Sequence, residues 1–175
     1  MAAEPPDGLT LRRNRDLTGL EHRPWTRRVL LGVLCVPIVL GLLNVFGQRP
    51  STTKTSVSAA SLTIYAPERV RGGLYYEARF HIQAHDELKD ARLVLNSNWI
   101  EGITINTIEP SPLGAASRNG DLSYDLGHIR AGQSYILFVQ QQVNPTNVGH
   151  RTQTAELWDG DTHLLTIDRP LTVFP

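Results

Sequence analysis

Residues Val29 to Phe46 read VLLGVLCVPIVLGLLNVF: eighteen residues without a charge, in which Asn44 is the one polar side chain. At about 1.5 Å rise per residue such a run makes roughly 27 Å of helix, close to the hydrocarbon thickness of a bilayer. That length, with no polar stripe, sets it apart from the core helix of a soluble protein and predicts a transmembrane helix over residues 29–47. A signal peptide has a shorter apolar core that ends at small residues. Here Val45-Phe46-Gly47 is a poor cleavage site, so the reading is an uncleaved anchor. Pro37 falls mid-span and predicts a kink, and Gln48-Arg49-Pro50 supplies polar residues and a breaker to end the helix.

The flanks orient the anchor. Arg23, Arg27 and Arg28 crowd its N-terminal side, whereas Arg49 and Lys54 are the only bases just beyond it. Positive charge stays inside, which places residues 1–28 in the cytoplasm and the rest of the chain outside. Trp25 sits where an interfacial aromatic belongs. Residues 1–28 carry six arginines against four acids, with little apolar periodicity, and read as a disordered basic tail.

The remaining 128 of the 175 residues are enough for one domain with a real core. Their eleven bases and thirteen acids leave no basic face for nucleic acid. The single cysteine, Cys35, lies in the apolar run, so the domain contains neither a disulfide nor a cysteine-based metal site. Residues 48–61 are small and hydroxyl-rich and read as a flexible linker.

From Leu62 onward short alternating runs are separated by turn residues, the pattern of a β-sandwich. In Leu74–Ala84, residues Tyr76, Ala78, Phe80, Ile82 and Ala84 point one way and Glu77, Arg79, His81 and Gln83 the other. Further strands are expected at 62–66, 91–95, 99–108, 122–126, 135–143, 151–158, 162–167 and 171–174, with residues 110–120 a loop. Asp159-Gly160 predicts a tight hairpin of type I′.

The stretch Leu126-Gly127-His128-Ile129-Arg130-Ala131-Gly132-Gln133, the strand Tyr135–Val143 and the loop Asn144–Gly149 follow one another as a leucine-glycine strand end, a glycine turn, a long strand and a glycine-bearing loop. In this they resemble the Ig-like repeat domains of prokaryotic cell-surface proteins. The resemblance implies an all-β, Ig-like β-sandwich of about seven to nine strands over residues 62–175, preceded by one N-terminal transmembrane helix. It marks turns and core positions, and implies no activity and no cofactor.

Candidate chemistry is sparse. His81 and His85 sit four apart on a strand, roughly 13 Å, too far to share an ion. His85-Asp86-Glu87 offers loop ligands, and Asp159-Gly160-Asp161 only part of a calcium turn. Asp121 and Asp125 flank a strand at exposed spacing. No Gly-x-Ser-x-Gly elbow and no phosphate loop occurs. Among the aromatics, Trp158 and most tyrosines read as packing, whereas Trp99 is a candidate for an exposed binding face. Gln140-Gln141-Gln142 is either a contact surface or an edge strand made polar against aggregation. The candidate partner contacts are therefore Trp99, Gln140 and Gln142, with no catalytic or metal residue assigned. The expected function is a membrane-anchored, non-catalytic structural or protein-interaction module at the cell envelope, such as an accessory subunit. The alternative is an extracytoplasmic domain that binds a metal ion or glycan.

Overall fold

A computed structural model describes residues 23–45, 47–118 and 120–175. The tail expected over residues 1–28 falls mostly outside these, as does Phe46 at the end of the apolar run. Contacts divide the chain after Val45 into a helical unit and a β unit that runs to Pro175.

Helix α1 spans Arg23–Leu42 with Pro37 inside it, so it begins and ends earlier than the expected 29–47. Its stop is a left-handed cap. Asn44 takes φ 53°, the Asn44 amide donates to the Gly41 carbonyl at 2.9 Å, and the Val45 amide reaches back to Leu40 at 3.1 Å. Asparagine tolerates this conformation, and the two bonds satisfy carbonyls that the helix end would leave open. The helix therefore stops at the polar residue of the apolar run, ahead of Gln48-Arg49-Pro50. Trp25–Leu42, eighteen residues of mean hydropathy 1.7, is long and apolar enough to cross a bilayer.

The β unit is an all-β sandwich of two sheets. Its strands are β1 (Pro50–Ser56), β2 (Ala60–Pro67), β3 (Arg69–Arg71), β4 (Tyr75–Ala84), β5 (Leu88–Leu95), β6 (Ile103–Glu109), β7 (Gly114–Arg118), β8 (Asp121–Ile129), β9 (Ser134–Val143), β10 (Gly149–Asp159) and β11 (Thr162–Phe174). One sheet has the order β1-β2-β4-β9-β6, the other β3-β11-β10-β5-β8-β7. Neighbours run antiparallel except β3, which pairs parallel with β11.

The described residues form eleven strands, more than the seven to nine expected. The flexible linker expected over residues 48–61 contains β1, which pairs with β2 from Pro50–Pro67 to Ser56–Ser61. A sheet edge is held by backbone bonds, and threonine favours extended chain, so β1 needs no apolar alternation to form. The expected loop at 110–120 likewise contains β7, an edge strand of small residues. The β10–β11 hairpin closes through Gly160-Asp161, with Asp159 paired to Thr162. Only Gly160 of the two has positive φ (56°), which makes the turn type II′ and not the expected I′.

Alternation along β4, β5 and β9–β11 sends one set of side chains between the sheets. Their apolar residues form two clusters, a large one around Phe80, Leu93, Leu137 and Leu157 and a smaller one of Val70, Tyr76, Ile103, Val143, Leu171 and Val173. A buried polar layer lies between them. Gln141 falls between Val139 and Val143 on β9, and Arg169 between Ile167 and Leu171 on β11, with Gln153 paired to Arg169 on β10. The Arg169 guanidinium donates to the Ala66 carbonyl at 2.7 Å and to Gln153 Oε1 and Ser51 Oγ at 3.4 Å each. Ser51 in turn donates to Glu68 at 2.7 Å. Burial lowers the Arg169 pKa, with the charges of Glu68 and Tyr76 opposing the shift.

Two tyrosines in this interior give a pH prediction. Burial is the largest cause that pushes Tyr76 and Tyr124 from the ordinary 10.0 up to about 12; for Tyr76 the Gln153 amide and the Arg169 charge pull the other way. A phenol whose folded pKa is raised keeps its proton in the folded chain after the unfolded chain has lost it. The associated stability is whole below pH 10 and is lost as pH rises from 10 towards 12. The denaturation midpoint will fall across that window, and Tyr76→Phe will flatten the fall.

Candidate interaction surface

The sequence-derived contact residues separate sharply in the fold. Trp99 is wholly buried, not exposed as expected. The expected strand 99–108 begins only at Ile103, and Trp99 closes a 3-10 turn, Ser97–Trp99, that folds the indole inward. There it lies 5.1 Å from Phe80, donates Nε1 to the Thr154 carbonyl at 3.0 Å, and underlies the Arg169 guanidinium at 5.8 Å. It presents nothing to a partner. Trp158, expected in packing, is instead partly exposed on the outer face of β10.

Gln140 and Gln142 do point outward from β9, with Gln141 buried between them. This strand lies between β4 and β6, so the glutamines are not an edge device. Their face of the five-stranded sheet carries the most distinctive surface arrangement among the described residues. Tyr65 on β2, Arg79 on β4 and Phe138 on β9 stand in register across three strands. The Arg79 guanidinium sits 5.5 Å from the Tyr65 ring and 5.4 Å from the Phe138 ring, while its Nε donates to Glu77 at 2.6 Å. Two π faces and a carboxylate hold a long cation flat against the sheet.

Beside this row Glu77, Gln140 and Thr107 form the next one, and a concavity of about 180 Å³ opens among Glu77, Thr107, Glu109, Phe138 and Gln140. Gln142 ties β9 to the Gly73 carbonyl at 3.2 Å. Ile136, 40% exposed, extends the apolar part of the face. Strand alternation had already placed Arg79 outward. What one sequence does not show is the register that brings Tyr65 and Phe138 to it.

The histidines are dispersed. His128 meets Glu87 at 2.8 Å, His150 meets Thr172 and His163 meets Thr166. Among the described residues no group of three or more His, Cys, Asp or Glu side chains is placed to hold a metal ion. Glu87 of the His85-Asp86-Glu87 loop is engaged by His128.

No family model and no curated protein matches the chain. Among solved structures it is similar to the CARDB domain of a Pyrococcus furiosus protein in complex with di-metal ions, at 15% identity and TM-score 0.41, over 69% of this chain and 98% of that one. It is also similar to a non-cellulosomal cohesin from Archaeoglobus fulgidus, at 13% identity and TM-score 0.40, over 63% of this chain and 88% of that one. Scores of this size say nothing of a ligand or partner here.

Proposed function

We propose that this chain is a non-catalytic protein-interaction module held at the cell envelope by α1, an accessory subunit of a membrane assembly. Trp25–Leu42 supplies a single span of sufficient length. Arg23, Arg27 and Arg28 favour a cytoplasmic N-terminus, so the β unit stands outside and its outer faces are open to partners.

The observation that carries the reading is the Tyr65–Arg79–Phe138 row. Tyrosine and arginine are the residue types that dominate binding energy at protein interfaces, and an arginine held by flanking rings loses little entropy on docking. A catalytic site needs a nucleophile or acid–base group poised by neighbours; here Glu77 is taken up by Arg79, and the row itself offers two aromatic rings and a braced cation.

Intact tagged chain, extracted from native membranes in mild detergent, is expected to carry a stoichiometric protein partner. Arg79→Glu with Phe138→Ala will weaken that association more than tenfold, as losing about 2 kcal/mol at a hot spot does, with an unchanged β spectrum. Parent protein that recovers no stoichiometric partner, or a double variant that retains it in full, sinks the reading.

A further inference from the structure

The opposite face of the sandwich holds a second feature, independent of the Arg79 row. Rows from β10, β5 and β8 place Glu156 beside Val94 and Ser123, and Trp158 beside Arg92 and Asp125. Arg92, Val94, Asp121, Ser123, Glu156 and Trp158 line a concavity of about 360 Å³ that the Gly160-Asp161 turn closes at one end. The indole is fixed in place. Its Nε1 donates to Glu156 Oε2 at 2.9 Å, and the His163 ring meets it edge-on at 5.0 Å.

The charge here is predominantly negative. Three carboxylates line the concavity against Arg92, which is already paired with Asp90 at 3.1 Å and has Asp125 as its cross-strand neighbour. One oxygen of Asp121 accepts the Ser97 amide and one of Glu156 accepts the indole N–H, leaving each a second oxygen. A ligand here must bring donors and positive charge. An anionic partner would be repelled.

We propose that this concavity docks an arginine side chain presented by a partner protein. A guanidinium is planar and always charged; it stacks on an indole and forks onto carboxylates in one geometry. A lysine ammonium meets the charge but not the fork. The site is open and has room for a long side chain, which fits a residue carried on a protein segment rather than a free ligand that must be enclosed.

The test uses the full chain in nanodiscs of phosphatidylcholine, which has no net charge, titrated with an acetylated Gly-Arg-Gly-Arg-Gly amide and followed by tryptophan emission and calorimetry. Counterpart peptides carry lysine or neutral citrulline in place of arginine. The arginine peptide is expected to saturate, with citrulline at least about tenfold weaker and lysine between them. Glu156→Gln with Asp161→Asn will weaken the arginine peptide about tenfold, Trp158→Leu will weaken it and remove the emission change, and Arg79→Ala will leave it unaltered. Asp161→Asn alone, on an exposed turn, decides the matter if Trp158→Leu fails to fold. Equal affinity for arginine and citrulline, parent-like binding by the double carboxylate variant, or no saturation at millimolar peptide overturns the proposal. None of these outcomes bears on the Arg79 face.

Discussion

Arg169→Ala will destabilise the chain by about 4 kcal/mol in guanidinium denaturation, whereas Arg169→Met will cost no more than about 2. Alanine takes from the Ala66 carbonyl its shorter donor, leaving it the Ser51 hydroxyl at 3.3 Å, strips the Gln153 amide oxygen of its donor, and opens a void over the Trp99 ring. Each orphaned buried acceptor costs about 1–3 kcal/mol, and the void adds to that. Methionine also removes the donor, but it fills the volume and takes away a desolvated cation. Among the described residues no carboxylate pairs with that cation directly; Glu68 reaches it through Ser51. An equal loss from the two variants would mean that the charge itself, and not the packing, holds the layer.

The same arginine explains why β1 is part of the domain. Through Ser51, Ala66 and Gln153 it joins β1 and β2 of one sheet to β10 and β11 of the other. Residues Pro50–Ser56 are thus fastened within the β unit by a buried polar layer as well as by their pairing with β2. Apolar contacts resist separation of the sheets without fixing how they slide. Hydrogen bonds from a single guanidinium fix the register as well.

The sequence made the sandwich legible wherever one face is wet and the other dry. In β4 the inward set Tyr76 to Ala84 is the observed one, because a half-buried strand writes its orientation in alternate residues. β1 and β7 left no such trace, since edge strands made mostly of serine, threonine, alanine and glycine are held through backbone bonds that carry no side-chain signature. Nothing in the chain next to Arg169 marks it for burial, which depends on acceptors far away in sequence. The Gln140–Gln142 run was visible as polar, but its division into two outward residues and one buried one follows from where β9 lies in the sheet. The Tyr65–Arg79–Phe138 row was invisible for a related reason. Cross-strand register, not spacing along the chain, assembles it.

The two domain tryptophans exchange the roles that sequence assigns them, and their alanine variants will show it. Trp99→Ala removes a fully buried indole from between the sheets, along with its contact to Phe80 and its bond to the Thr154 carbonyl. The loss of such a side chain costs about 3–5 kcal/mol. It also uncovers Arg169 and disturbs the Trp99 carbonyl that accepts from buried Gln141 at 3.3 Å. Trp158→Ala leaves no cavity in the core, because the ring lies on the outer face against His163 and a neighbouring carboxylate, and it will cost within about 1 kcal/mol. Thermal or chemical denaturation of the two variants checks the difference. Comparable losses would place Trp158 in the packing and remove the wall of the acidic concavity. A loss confined to Trp99 assigns that residue to the joint between the sheets and leaves Trp158 free to meet a partner.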